Sequence, residues 1–358
     1  MTPRLTIVLG AGGVGKTTLA AGLGLAHARA GRSAALLGVD PARRLRSALG
    51  LAELPEAGAA VPVGGPGSLD AAVLDPGACL RRWVAAACPD PAERASLLAN
   101  PYFLALADRL AGFTDAIGCA RAVEWAERDP ALTELVLDTA PGMPAVELLA
   151  RPDKLLAFFD GRVIRWLTRF ARFSSSGVAA HGGRRMLAGL ADLSGADALR
   201  DVGRLVSALD VAIATMIARL ERARRWLRDP GTAIVIVCGV SDDAAEAVRG
   251  LDRAVRGLRF EPSLIVLNRV LPAALRAWSP RLDDRTALPA RALARYVREY
   301  VQAQLRVRAQ LAAVRVPVLE VPDTATLDVA ARLDGLAALG EPLRAALAVP
   351  AAVASRVG

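Results

Sequence analysis

The chain has 358 residues, 53% of them hydrophobic, 23% charged and 4% aromatic, with a formal net charge of +9. This balance excludes a disordered tail, a collagen-like repeat and a disulfide-stapled miniprotein, and the length suits about two domains or one large α/β sheet. All 45 basic residues except Lys16 and Lys154 are arginine, and the charge is uneven: −2 over residues 1–150, +8 over 151–228 and +3 over 229–358.

In chain order, short β-branched or leucine-rich runs closed by turn residues predict strands over 5–10, 34–40, 69–75, 134–139, 233–240, 264–270 and 316–321. Most are apolar throughout, as strands covered on both faces are, and helical stretches such as 16–30 and 244–256 lie between them. The expected fold is α/β, a mostly parallel sheet flanked by helices. Residues 54–68, LPEAGAAVPVGGPGS, read as a surface loop. Residues 151–228 carry no strand signal, only helical patterns broken by SSSG and HGG, and read as a helical insertion. The expected division is therefore a core over 1–150 and 229–340, the insertion between them, and a C-terminal tail over 341–358 whose Ala-rich end is a fraying helix.

Cys79, Cys88, Cys119 and Cys238 form no Cys-x-x-Cys pair, and only His27 and His181 could join them, so no metal-ligand spacing emerges. Unpaired cysteine usage points to a reducing cytoplasm. The run MTPRLTIVLG is too short for a signal-peptide core, and no stretch reaches the ~18 apolar residues of a membrane span.

The strongest signal is Gly10-Ala11-Gly12-Gly13-Val14-Gly15-Lys16-Thr17-Thr18, which fits G-x-x-x-x-G-K-T between a predicted strand and a predicted helix. Glycines let the backbone curl around a phosphate chain, and N–H groups from Gly13 to Thr17 can face it at a helix N-terminus. Lys16 reaches the β and γ phosphates, and the Thr17 hydroxyl completes magnesium coordination. Lys16 is a compact ammonium retained where a planar guanidinium would not fit. A magnesium-side carboxylate is supplied by Asp138, at the end of Leu135-Val136-Leu137, through water, followed by a turn able to sense the γ-phosphate. Asp40 ends the second strand in the same way. Each could serve as an ordinary helix N-cap, but both are expected at the carboxyl ends of strands flanking the P-loop strand, where open α/β sheets bind ligands. ATP and magnesium are the expected ligands.

GAGGVGKTT, VDPARRL, LVLDTAP with the helical insertion behind it, IVLNRV and VPVLEVPD together resemble the arsenite-transport ATPase ArsA and the related ATPase of guided entry of tail-anchored proteins. These belong to the wider class of deviant P-loop NTPases that includes ParA and MinD. LDAAVLDP and LLARPDKLLAFFDGRVIRWL look most like bacterial ArsA-like ATPases. The resemblance implies a homodimer. It implies catalytic roles for Lys16 and for Asp40, the latter as the switch I aspartate that orients the attacking water. Asp138 would open switch II, Asn268 would contact adenine, and Pro322 with Asp323 would belong to the base-binding loop. The sequence departs from the family at three places. Ala11 stands where relatives carry a second P-loop lysine, and Gly142-Met143-Pro144 replaces Thr-Gly-His. Thr114 lies near the position of the arsenite-binding cysteine, with Cys119 a turn and a half away.

Within the insertion Arg162, Arg165, Arg169 and Arg172 share one helical face, opposite Val163, Trp166, Leu167, Phe170 and Phe173. That face is either the solvated side of a helix packed on the core or a surface for a membrane-protein client or lipid headgroups; no nucleic-acid motif accompanies it. Three functions stay open: an ATPase moving its insertion with nucleotide state, an arsenite-pump subunit, and a nucleotide-binding adaptor or regulatory protein with little hydrolysis.

Overall fold

The computed structural model describes residues 2–40, 44–88, 90–100, 104, 113–159, 211–278, 280, 288–323 and 332–348. The chain divides into two compact units: Met1–Val73 with Asp129–Leu149 and Leu227–Gly358, and Leu74–Arg128 with Ala150–Trp226.

The first unit is built on strands β1 (Arg4–Gly10), β2 (Ser33–Gly38), β3 (Ala59–Ala60), β4 (Ser68–Val73), β5 (Glu134–Asp138), β6 (Ala233–Cys238), β7 (Leu264–Val270) and β8 (Val318–Pro322). They form one sheet in the order β3-β4-β2-β5-β1-β6-β7-β8. Every neighbouring pair is parallel except β3 with β4. The described helices, again in chain order, are α1 (Lys16–Arg29), α2 (Arg44–Leu49), α3 (Pro76–Ala87), α4 (Pro91–Leu98), α5 (Thr114–Arg128), α6 (Met143–Phe159), α7 (211–227), α8 (Ala244–Gly257), α9 (Ala273–Arg276), α10 (Leu288–Leu311) and α11 (Arg332–Ala348). The sheet is thus mostly parallel and flanked by helices, as the apolar runs require, with strand ends shifted by no more than two residues from expectation.

Two details of the sheet differ from the sequence reading. The strand leading to Asp40 does not flank β1: β5 lies between, pairing with β1 on one side and β2 on the other. And β3 lies inside the segment read as a loop, where Ala59 and Ala60 pair antiparallel with Ala71 and Asp70. A two-residue strand is too short to show any period.

Alternation along the strands explains why they are apolar throughout. Val8, Val136, Val235, Val266 and Val321 join α1 and α11 in one core, while the intervening Ile7, Leu9, Ile234, Ile236 and Ile265 are buried on the other face. Helix α1 is covered by the sheet on one side and by α11 on the other, so it carries no polar stripe. The two helices approach at Gly22 and Gly340. A Cβ on Gly340 would overlap the Gly22 carbonyl, and one on Gly22 would overlap the Leu336 carbonyl. Residues 341–348, read as the start of a tail, instead continue α11 and bury Leu343 and Leu347; residues 349–358 lie outside the described residues.

The second unit comprises α3, α4, α5, α7 and the end of α6. Asp75 caps α3, accepting from the Ala78 N–H at 2.9 Å, with Pro76 at the first helical position. Glu124 of α5 accepts from Arg82 of α3 at 2.6 Å, and Glu127 pairs with Arg219 and Arg222 of α7 at 3.0 and 2.5 Å. Burial raises the Glu124 pKa, yet the Arg82 hydrogen bond and charge, with Trp83 and Arg121, leave it below its ordinary value. Residues 160–210 of the sequence-defined insertion, including the four-arginine face, lie outside the described residues. No described helix is long and apolar enough to cross a membrane.

The Gly22–Gly340 crossing separates two substitutions that look alike. Alanine ordinarily stabilises a helical glycine site by ~0.5–1 kcal/mol. That gain is expected for Gly250→Ala in α8, where a Cβ meets nothing within 4 Å. Gly340→Ala should instead destabilise by about 1–3 kcal/mol through overpacking. Urea unfolding of both variants measures the opposite signs.

Candidate nucleotide-binding site

The turn between β1 and α1 forms the centre of the site. Gly15 precedes α1 with φ 93°, and no side chain caps that end, so the first N–H groups of the helix are left for a ligand. Glycine is needed at this position twice over. The backbone is left-handed, and the space a Cβ would take holds the Asn268 amide. That amide donates Nδ2–H to the Val14 carbonyl at 2.8 Å, bracing the loop from β7. A cavity of about 280 Å³ opens here, lined by Gly13, Gly15, Lys16, Thr17, Thr18, Arg44, Ala48 and Arg269.

Lys16 is 6% exposed and donates Nζ–H to the Ala11 carbonyl at 2.9 Å. Its pKa lies below the ordinary lysine value because burial disfavours the ammonium, with Arg44 adding to that and Asp138 and Asp40 opposing it. Those four side chains therefore share one electrostatic environment. Asp138 is 3% exposed, and its pKa is pushed up to about 6, chiefly by burial and further by Asp40, against the Thr17 hydrogen bond and the Lys16 charge. Its Oδ1 is buried without a hydrogen-bond partner. A buried carboxylate oxygen of this kind, beside a threonine hydroxyl, fits a hard divalent cation, which takes oxygen ligands.

Backbone bonds radiate from the same place. The Asp138 carbonyl accepts the Val39 N–H at 2.8 Å, which carries Asp40 to the P-loop although β2 is one strand removed from β1. The buried Thr139 hydroxyl donates to the Val8 carbonyl at 2.7 Å, and the Gly142 N–H to the Gly10 carbonyl at 2.9 Å. The DTAP segment is thereby tied to the loop it follows in space.

The structure thus brings Lys16, Thr17, Asp138 and Asp40 together around the loop formed by Gly12, Gly13, Val14, Gly15 and Thr18. Asn268 meets that loop from the other side. Pro322 and Asp323 are exposed at the end of β8, where the Asp323 N–H donates to the Val270 carbonyl at 2.8 Å, and neither is among the described residues lining the cavity. Arg269 lines the cavity although no sequence signal marks it, because its orientation depends on backbone geometry within β7.

Fold and loop together define a P-loop nucleotide-binding protein. The chain belongs to the family described as the CobQ/CobB/MinD/ParA nucleotide binding domain, whose model matches residues 5–277. It is similar to an uncharacterized protein of Streptomyces coelicolor, 32% identical over 290 residues, covering 75% of this chain and 63% of that protein. It is also similar to the ATPase GET3 of Malassezia globosa, 30% identical over 167 residues, covering 47% of this chain and 45% of that protein. The chain therefore spans less than two thirds of the length of these curated relatives.

The raised Asp138 pKa has a consequence for stability. Above about pH 6 the ionised carboxylate costs folding free energy, and the cost fades as pH falls from 6 toward the ordinary value of 3.8. Asp138→Asn should therefore stabilise the ligand-free protein at pH 7.5 by on the order of 1–3 kcal/mol and by little near pH 4. The same variant should lose the magnesium-dependent part of nucleotide binding. Denaturant melts at the two pH values and calorimetric titration with and without magnesium measure the two effects.

Proposed function

We propose that the protein is a magnesium-dependent ATPase of the ArsA-like kind. The observation that carries this reading is the junction of Lys16, Thr17, Asp138 and Asp40 around a P-loop, with one Asp138 oxygen buried and unpartnered. In this reading Lys16 moves from the Ala11 carbonyl to the β and γ phosphates, and the N–H groups at the start of α1 hold the phosphate chain. Thr17 and, through water, Asp138 would hold magnesium, which would supply charge neutralisation at the phosphates. Asp40 orients the water that attacks the γ-phosphorus as the bond to the bridging oxygen breaks and ADP leaves. The resemblance supports a homodimer and a helical client-binding role for residues 151–228 coupled to nucleotide state, within a cytoplasmic protein that can act at a membrane surface.

Ala11 favours a second reading, a nucleotide-binding adaptor or regulator with little hydrolysis, because a cation delivered to the transferring group can be worth roughly 10³–10⁵ in rate. Arg44 lines the cavity and acts electrostatically on Lys16, which supports it as a replacement for the missing charge. An arsenite-pump subunit is the third reading.

Phosphate release by purified protein, with and without arsenite, separates the three. The ATPase reading expects slow basal turnover, indifferent to arsenite, that Ala11→Lys raises, Arg44→Ala lowers and Lys16→Ala abolishes together with ATP binding. No turnover with intact binding favours the adaptor, and stimulation by arsenite favours the pump.

A further inference from the structure

Three described non-glycine residues have left-handed backbone: Arg259, Arg269 and Arg315. Arg259 and Arg315 follow helical turns, where a left-handed residue commonly closes the helix. Arg269, at φ 61°, lies inside a strand, where a residue with a side chain adopts this region rarely and under strain. It is the extra residue of a bulge: Asn268 pairs with Val321 and Val270 with Pro322, leaving Arg269 between two ladder positions. The bulge is pinned on every side. Tyr300 Oη–H donates to the Arg269 carbonyl at 2.7 Å, the Asn268 amide is held by Val14, and the Val270 carbonyl by the Asp323 N–H. As a result Arg269 is exposed between two buried neighbours and lines the cavity with Lys16, Thr17 and Thr18.

Sheet order indicates which part of a nucleotide it meets. Asp138 and Asp40 follow β5 and β2, on one side of β1, whereas β7 lies two strands away on the other side, about 10 Å off at ordinary strand spacing. A phosphate chain with its terminal group by the two aspartates and its middle over the start of α1 places its nucleoside end toward β7. We infer that Arg269 contacts the portion of the nucleotide shared by ATP and ADP, and that the bulge exists to aim it there. The inference rests on the reading of the cavity as a nucleotide site.

Calorimetric titration of ATP and ADP into wild type, Arg269→Gly and Lys16→Ala tests it. Glycine relieves the backbone strain, so Arg269→Gly should melt at or above the wild-type temperature. It should also bind ATP and ADP about tenfold more weakly, by the same factor, the scale of one charge-assisted contact. Unchanged affinities, a loss confined to ATP, or a lowered melting temperature would each overturn the role of Arg269. Wild type that binds neither nucleotide would overturn the cavity assignment itself, whereas binding lost in Lys16→Ala and kept in Arg269→Gly would overturn the arginine alone.

Discussion

A carboxylate withheld from water organises this site. Asp138 ends a strand that lies inside the sheet between β1 and β2; its side chain is buried, and its main-chain carbonyl accepts from the neighbouring Val39 segment. The carbonyl anchors Val39, the following threonine anchors to Val8, and Gly142 anchors to Gly10. Thr17 and Lys16 offset only part of the desolvation of the side chain, which is why its pKa stays raised. A site that holds an incompletely compensated negative charge is electrostatically suited to a cation, and the same geometry sets the phosphate loop and the Asp40 segment around it.

Arginine shapes the remainder of the molecule, because it keeps its charge wherever it is placed. In the second unit Arg121 is 1% exposed and lies over Trp125 at 4.7 Å, and Arg219 lies over Trp83 at 5.4 Å while pairing with Glu127. Aromatic faces and carboxylates together make such burial tolerable. Lys16 is the counterexample. A narrow loop with a carbonyl acceptor suits an ammonium, whose three donors can change partners as a ligand arrives.

Two glycines show how one residue type answers different demands. Gly15 is required by a left-handed backbone against Asn268, so it belongs to ligand binding. Gly340 sits in ordinary helix and is required only because another backbone passes against it, so it belongs to the packing of α11 on the P-loop helix. The helix that presents phosphate-binding N–H groups is therefore positioned by the sheet on one face and by a segment more than three hundred residues later on the other.

The α/β class, the strands, the phosphate loop and the two aspartates were legible in the sequence because each depends on short-range features: apolar runs, glycine spacing, and an acid at the end of a strand. What could not be read depends on partners far apart in the chain. β5 enters the sheet between β1 and β2, which makes the Val39–Asp138 bond rather than adjacency the means of bringing Asp40 to the loop. Asn268 reaches Val14 across more than two hundred residues, residues 341–348 become core only as part of the helix packed on α1, and Arg269 turns toward the cavity only because β8 pairs around it. Local motifs determined which residues could form a nucleotide-binding loop. Long-range strand pairing and close backbone approach decided where each of them stands, since those depend on contacts no local pattern encodes.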